Sequence, residues 1–249
     1  MTPTITPAPT LTVEEESEFL RELMATNGGC ELPCWWGIMP GETKVETARE
    51  QLVAMGASWL EDNYASIGVN WGLSIQFEVS GGLVQSMNIG SSYTSGVIDR
   101  ESFTEGWRRY SLMEMLNRHG VPTRVLVCLP FRADPGSGPS YHLLVFYENL
   151  GIEIEYRGGA EQLDGRRYRA CPDLEEIREI GLFLYQPDQV GDVVERILPP
   201  ESVSYMAGPD GVYELISWQQ TAGSSLESFY ETFSAQEERA CFEFTGYWP

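Results

Sequence analysis

Apolar residues recur along this chain with two different periods, and the alternation between them divides it into helices and strands. Four segments open with Ser or Thr followed three residues later by Glu. That pairing lets each side chain satisfy an orphan N–H group at a helix start. The pairs are Thr12 with Glu15, Thr43 with Glu46, Ser111 with Glu114, and Ser224 with Glu227. Helical apolar spacing follows each one. Leu20, Leu23 and Met24 follow the first, which stops at Asn27-Gly28-Gly29. Ala48, Leu52 and Met55 follow the second, up to Gly56; Leu112, Met115 and Leu116 follow the third, up to Gly120. Leu226, Phe229 and Phe233 follow the fourth. A further helix is predicted over 188–198, stopped by Pro199 and Pro200.

Between the helices the period changes to two. Residues 69–79 and 83–89 flank Ser80-Gly81-Gly82 and read as a hairpin. A buried-type run covers 125–129. Residues 141–147 and 152–157 form a second hairpin, with Ile152, Ile154 and Tyr156 on one face. Glu153 and Glu155 fall on the other face and are expected to meet solvent. Strands at 167–170 and 182–186, a third hairpin over 203–206 and 212–218, and a final strand within 242–248 complete the set. Hairpin connections imply antiparallel pairing. The expected fold class is α+β: tandem units of a capped helix plus antiparallel sheet, with the helices on one face. A weak internal repeat relates the helix from Thr43 to that from Ser111. The expected division is a Thr/Pro-rich tether at 1–12, a first unit at 13–100 and a larger second unit at 101–249. The boundary is placed near 95–105, where Gly, Ser, Thr and acidic residues cluster.

Charge narrows the partners. The chain has 249 residues with Lys+Arg 16 against Asp+Glu 37, a formal net charge of −21. Nucleic acid and anionic membrane surfaces are excluded as partners, because affinity for phosphate needs Lys and Arg. No apolar run approaches the roughly 20 residues of a spanning helix. Lys44 is the one lysine among the sixteen cations. A set with 15 arginines suits fixed ion pairs, where a guanidinium outperforms an ammonium.

Five cysteines, Cys30, Cys34, Cys128, Cys171 and Cys241, bear on the compartment. Cys30 and Cys34 are spaced C-x3-C without a second close pair, so no metal site and no thioredoxin-type site is indicated. Disulfides in an exported protein are the more economical reading. A Cys128–Cys171 bridge is favoured because each residue ends an apolar strand; Cys30–Cys34 is the local second choice. Cys241 is left over or takes one of that pair. The uncharged, Thr- and Pro-rich first twelve residues have no signal-peptide pattern. They are expected to be a spacer, with an export signal or lipid-bearing cysteine upstream of Met1.

The stretch from Cys30 to Thr43 reads Cys-Glu-Leu-Pro-Cys-Trp-Trp-Gly-Ile-Met-Pro-Gly-Glu-Thr. It resembles an uncharacterised group of bacterial exported proteins and lipoproteins with a Cys-Trp-Trp-Gly-Ile-x-Pro-Gly-x-Thr opening and a later helix ending in Gly-x-Pro. His119-Gly120-Val121-Pro122 and Cys171-Pro172-Asp173 fit the later part. The resemblance implies export and no particular activity. More distantly, the units at 41–56 and 111–122 resemble repeats of small outer-membrane lipoproteins and β-lactamase-inhibitor-like modules. Those pack helices on antiparallel sheet and bind other proteins.

No catalytic constellation stands out. His119 ends a helix, where an imidazole complements the dipole, and His142 lies within a strand. No phosphate loop, G-x-S-x-G or H-E-x-x-H occurs. No cofactor and no metal are called for. The aromatic residues are the better lead, because Trp and Tyr anchor binding surfaces. Trp35 and Trp36 rank first, then Trp71, Tyr93 and Trp107. The expectation is a monomeric, exported or envelope-tethered, non-catalytic protein that binds a protein or small-molecule partner. The alternatives are an acid-residue hydrolase of the envelope and a structural envelope subunit.

Overall fold

A computed structural model describes residues 12–61, 63–67, 72–92, 100–129, 139–187, 214–235 and 240–245. Trp71, Tyr93, the helix expected at 188–198 and the strand at 203–206 lie outside them, as does nearly all of the expected tether. The described helices are α1 (Val13–Thr26), α2 (Val45–Ala54), α3 (Arg100–Trp107), α4 (Leu112–His119), α5 (Trp218–Ala222) and α6 (Leu226–Ser234). The described strands are β1 (Ser58–Glu61), β2 (Tyr64–Ile67), β3 (Leu73–Ser80), β4 (Leu83–Ser92), β5 (Arg124–Leu129), β6 (Ser140–Tyr147), β7 (Ile152–Asp164), β8 (Arg167–Ala170), β9 (Ile177–Tyr185), β10 (Glu214–Ser217) and β11 (Phe242–Thr245). The protein is α+β with antiparallel sheet.

The capping signals divide. Thr12 and Glu15 make the full reciprocal box on α1, with Thr12 N donating to Glu15 Oε2 at 2.8 Å and Glu15 N to Thr12 Oγ1 at 3.2 Å. The helix ends at Asn27, which takes the left-handed conformation at φ 55°. Ser111 caps α4 by accepting from Glu114 N at 3.3 Å, a bond of about 1 kcal/mol. Thr43 does not cap α2. Its hydroxyl accepts from Met39 N at 2.8 Å, and its carbonyl accepts from Val84 N at 2.9 Å. Pairing with the start of β4 holds Thr43 in the sheet, and the helix begins one residue later with Lys44 at its N-cap. At α6 the cap is Ser225 and not Ser224, whose hydroxyl accepts from Trp218 Nε1 at 3.0 Å. The strand expected to run to Trp218 stops at Ser217, whose side chain instead caps α5.

The strand order is β1-β2-β3-β4-β9-β7-β6-β5-β10, with β8 on the far half of β7 and β11 on β8. Every described pairing is antiparallel. The position of β9 bears on the expected two-unit division. It pairs with β4 from Ser86↔Tyr185 to Ser92↔Glu179 and with β7 from Ile152↔Leu184 to Gly158↔Ile177. A strand from the second half therefore joins both halves into one sheet. The boundary expected at 95–105 overlaps α3, which buries Phe103 and Trp107.

One apolar cluster fills the interior. Leu20 and Met24 of α1, Leu52 of α2, Trp107 of α3, Met115 of α4 and Phe229 of α6 enter it. So do Ile75, Ile89, Ile154, Tyr156 and Leu182 from the strands. Each fully buried Leu or Ile contributes about 1.5–3 kcal/mol relative to exposure.

Two disulfides close the chain. Cys171–Cys241 links the end of β8 to the start of β11, beside the Ala170↔Phe242 pair. Cys30–Cys34 closes a short loop. The favoured Cys128–Cys171 bridge is therefore corrected. Cys128 lies on β5, and β6 and β7 stand between β5 and β8. Strand spacings of about 4.8 Å carry such a pair past the ~7 Å Cα limit of a disulfide.

Candidate functional site on the polar face of the sheet

The alternation of β7 defines two sheet faces. Ile152, Ile154 and Tyr156 are buried in the core cluster. Glu153, Glu155 and Arg157 point the other way, since successive side chains of a strand alternate. The sequence suggests that these acids meet water. The structure corrects this: Glu153 is only 6% exposed, and the Glu155 side chain only 20%.

Register places their neighbours. Arg157 sits opposite His142 on β6 and Glu179 on β9, and Glu179 sits opposite Ser92 on β4. Glu155 Oε1 accepts from His142 Nδ1 at 3.0 Å and from Arg157 Nε at 2.8 Å. Its Oε2 accepts from an Arg157 terminal nitrogen at 2.8 Å. The other terminal nitrogen donates to Glu179 Oε2 at 2.8 Å, and Ser92 Oγ donates to Glu179 Oε1 at 3.3 Å. One guanidinium thus holds Glu155 bidentately and Glu179 through a single bond. Burial pushes the Glu155 carboxyl up, but the hydrogen bonds from His142 and Arg157 and the guanidinium charge outweigh it and hold it at about 2.

Beside this network lies a trough of about 320 Å³. Its floor is the transverse row Ser74–Gly90–Gly181–Glu155, in which β4 and β9 contribute glycines directly opposite each other. Tyr64, Asn88, Ser92, Arg157 and Glu179 line its sides. Packing does not demand these glycines. A Cβ on Gly90 would meet nothing closer than 3.5 Å, and one on Gly181 nothing closer than 3.9 Å. Neither has a positive φ. Each glycine within a strand costs about 0.5–1 kcal/mol relative to alanine, and what the pair creates is open space.

Next to the trough, Glu153 faces a different environment. It lies opposite Phe146 on β6 and Phe183 on β9. The Arg124 guanidinium stacks 4.3 Å over the Phe146 ring and pairs with Glu148 at 2.8 Å. Glu153 Oε2 and the Tyr185 hydroxyl are buried without hydrogen-bond partners among the described residues. Burial, reinforced by Glu155 and Glu148 and opposed by Arg124, raises the Glu153 carboxyl to about 8. Glu153 is therefore neutral at pH 7, and Glu155 is ionised.

The aromatic candidates are elsewhere. Trp35, Trp36 and Trp107 are 0%, 3% and 0% exposed, so none offers a surface to a partner. Trp35 packs 5.0 Å from Trp36 and 5.1 Å from Tyr110 between ring centroids, and Trp107 lies 5.6 Å from Tyr110. Asn27 holds this corner. Its Nδ2 donates to Cys30 O at 2.9 Å and to Cys34 O at 2.8 Å, and its Oδ1 accepts from Trp36 N at 3.3 Å. The Cys-Trp-Trp motif is thus a core plug fixed by one buried amide.

The sequence contains a signal for the trough: glycines at Gly90 and Gly181 inside apolar alternation, which mark a bulge or a close approach. Among the described residues no group of three or more His, Cys, Asp or Glu is arranged to hold a metal ion. No protein family, curated protein or solved structure matches the chain. Fold and site therefore define a class: an α+β antiparallel-sheet protein with a preorganised polar trough on one sheet face.

Proposed function

We propose that this is an exported, non-catalytic binding protein whose small ligand lies in the trough on the polar sheet face, with the helices covering the opposite face. The observation that carries the reading is the pair of glycines flanked by the Glu155–Arg157–Glu179 network. Strand stability is given up there without a packing return, which is the mark of a functional position. The volume falls at the small end of ligand sites, about 300–1,000 Å³. Export is supported by the two disulfides. Among the described residues no helix is long and apolar enough to cross a membrane.

The test is occupancy. Wild type and Gly181→Val are dialysed against a small-molecule extract of the source cells and read by native mass spectrometry. The added side chain projects into the trough from its floor, at a site with room for it. A ligand adduct on the wild type that is absent from the folded variant supports the reading. Equal adducts on both, or none on either, overturn it.

The hydrolase alternative has one observation in its favour. Glu153 and Glu155 share a strand face and have carboxyls pushed in opposite directions, as acid and base pairs do. Against it, Glu153 is buried and does not line the trough. A structural subunit is less well supported, since the exposed large apolar residues among those described are single and scattered: Val53, Val79 and Val121.

A further inference from the structure

We infer that the trough takes a neutral saccharide, recognised through adjacent ring hydroxyls; this rests on the trough being the ligand site. Its lining is mostly polar, so the ligand must itself be rich in hydrogen-bonding groups. Both acceptors and donors line it. Glu155 and Glu179 are carboxylates with lone pairs beyond those used by Arg157, His142 and Ser92. Arg157 uses three of its five N–H donors in the network, which leaves two for a ligand. Ser74 Oγ donates to Gly90 O at 3.2 Å, so its lone pairs can accept, and Asn88 presents an exposed amide.

Three ligand chemistries compete for such a site. An anion is disfavoured, because two carboxylates flank the trough and the chain carries −21. An ammonium satisfies the carboxylates but only donates, leaving the guanidinium N–H groups without an acceptor. A hydroxyl both donates and accepts, so vicinal hydroxyls can bridge a carboxylate and a guanidinium N–H at once. The floor suits this too. Gly90 and Gly181 expose flat sheet backbone on which a ring can lie, with its edge hydroxyls directed to the walls. Tyr64 adds an aromatic side chain at the rim. The carboxylates are already held by Arg157, so little ordering is lost on binding.

The experiment uses the full chain with its disulfides intact. Wild type, Gly181→Val and Glu179→Gln are applied to an array of neutral mono-, di- and oligosaccharides. Retained sugars are then titrated calorimetrically beside putrescine and citrate. Circular dichroism and unfolding midpoints establish that each variant is folded. The expected result is at least one neutral saccharide bound by wild type, at least tenfold more weakly by Glu179→Gln and not measurably by Gly181→Val. Putrescine or citrate binding that is abolished by Gly181→Val, without saccharide binding, keeps the trough and overturns the saccharide. Saccharide binding unchanged in Gly181→Val overturns both. No retained saccharide overturns the saccharide assignment alone, the dialysis experiment then deciding the trough.

Discussion

Replacing Glu153 by Gln separates a buried neutral acid from an ordinary surface carboxylate. In the unfolded chain this carboxyl titrates near 4.5; in the fold it titrates at about 8. Between those values the folded state keeps a proton that the unfolded state has lost. Stability therefore falls as pH rises, by about 1.4 kcal/mol per pH unit for this group. The penalty is absent below pH 4.5, about 3 kcal/mol at pH 7, and level at about 5 kcal/mol above pH 8. Gln removes the titration at nearly constant volume but buries an amide without partners, at about 1–3 kcal/mol at every pH. The variant should be the less stable protein at pH 5 and the more stable one at pH 8, crossing between about pH 5 and 7. Urea unfolding followed by tryptophan fluorescence at pH 5, 6, 7, 8 and 9 reads the difference directly. The other ionisable groups are common to both proteins, so their contributions largely cancel. Glu155 contributes in a separate window: its depressed carboxyl stabilises the fold above pH 4.5 and loses that contribution toward pH 2. A stability difference that stays constant within about 0.5 kcal/mol from pH 5 to 8 would refute the buried-acid assignment.

Two further variants test the scaffold. Asn27→Ala strips the hydrogen bonds to Cys30 O, Cys34 O and Trp36 N and places alanine at φ 55°. The expected loss is about 3–5 kcal/mol by chemical denaturation, and a loss under about 1 kcal/mol contradicts the anchoring role. Cys171→Ser opens a link between residues 70 apart in sequence, and Cys30→Ser one between residues 4 apart. The longer loop should cost about 4 kcal/mol and the shorter about 2 kcal/mol, so denaturation midpoints should fall in that order.

What the sequence displayed and what it hid follow from range. Helix starts are local, so Thr12 and Ser111 cap where their spacing to Glu predicts. Thr43 has the same spacing and fails, because a carbonyl and hydroxyl committed to Val84 and Met39 are settled by sheet pairing that no local pattern records. The trough was hidden by the residues that make it. Reading strands by apolar alternation ends one at Ile89 and begins another at Leu182. The structure runs both through the next glycine and sets the two glycines opposite each other. Nothing in either segment alone announces that β9 crosses to lie between β4 and β7. The indoles misled for a different reason: a Trp pair after Cys and Pro reads equally as a surface anchor or a core plug. The buried Asn27 amide that decides for the plug lies nine residues before Trp36.

The charge balance bears on the ligand as well as on solubility. Arginines are scarce, and the structure spends several of them on carboxylates: Arg21 on Glu18 and Glu105, Arg109 on Glu31, Arg124 on Glu148, Arg167 on Asp164, and Arg169 on Glu243. Among them, the exposed pairs Arg21–Glu18 and Arg169–Glu243 contribute about 0–1 kcal/mol each. Arg157 is the different case, because it grips Glu155, only 20% exposed, through two nitrogens and lies at a trough instead of on an open surface. A guanidinium already shared between two acids has no net positive charge to offer a phosphate or carboxylate ligand. It retains direction: fixed N–H donors beside fixed acceptors. Such a site discriminates by hydrogen-bond pattern and not by charge, so ligand affinity there should change little with ionic strength. Strong salt dependence of binding to the wild type, with the Gly181→Val variant as the blank, would mean that charge attraction dominates and that the ligand is a cation.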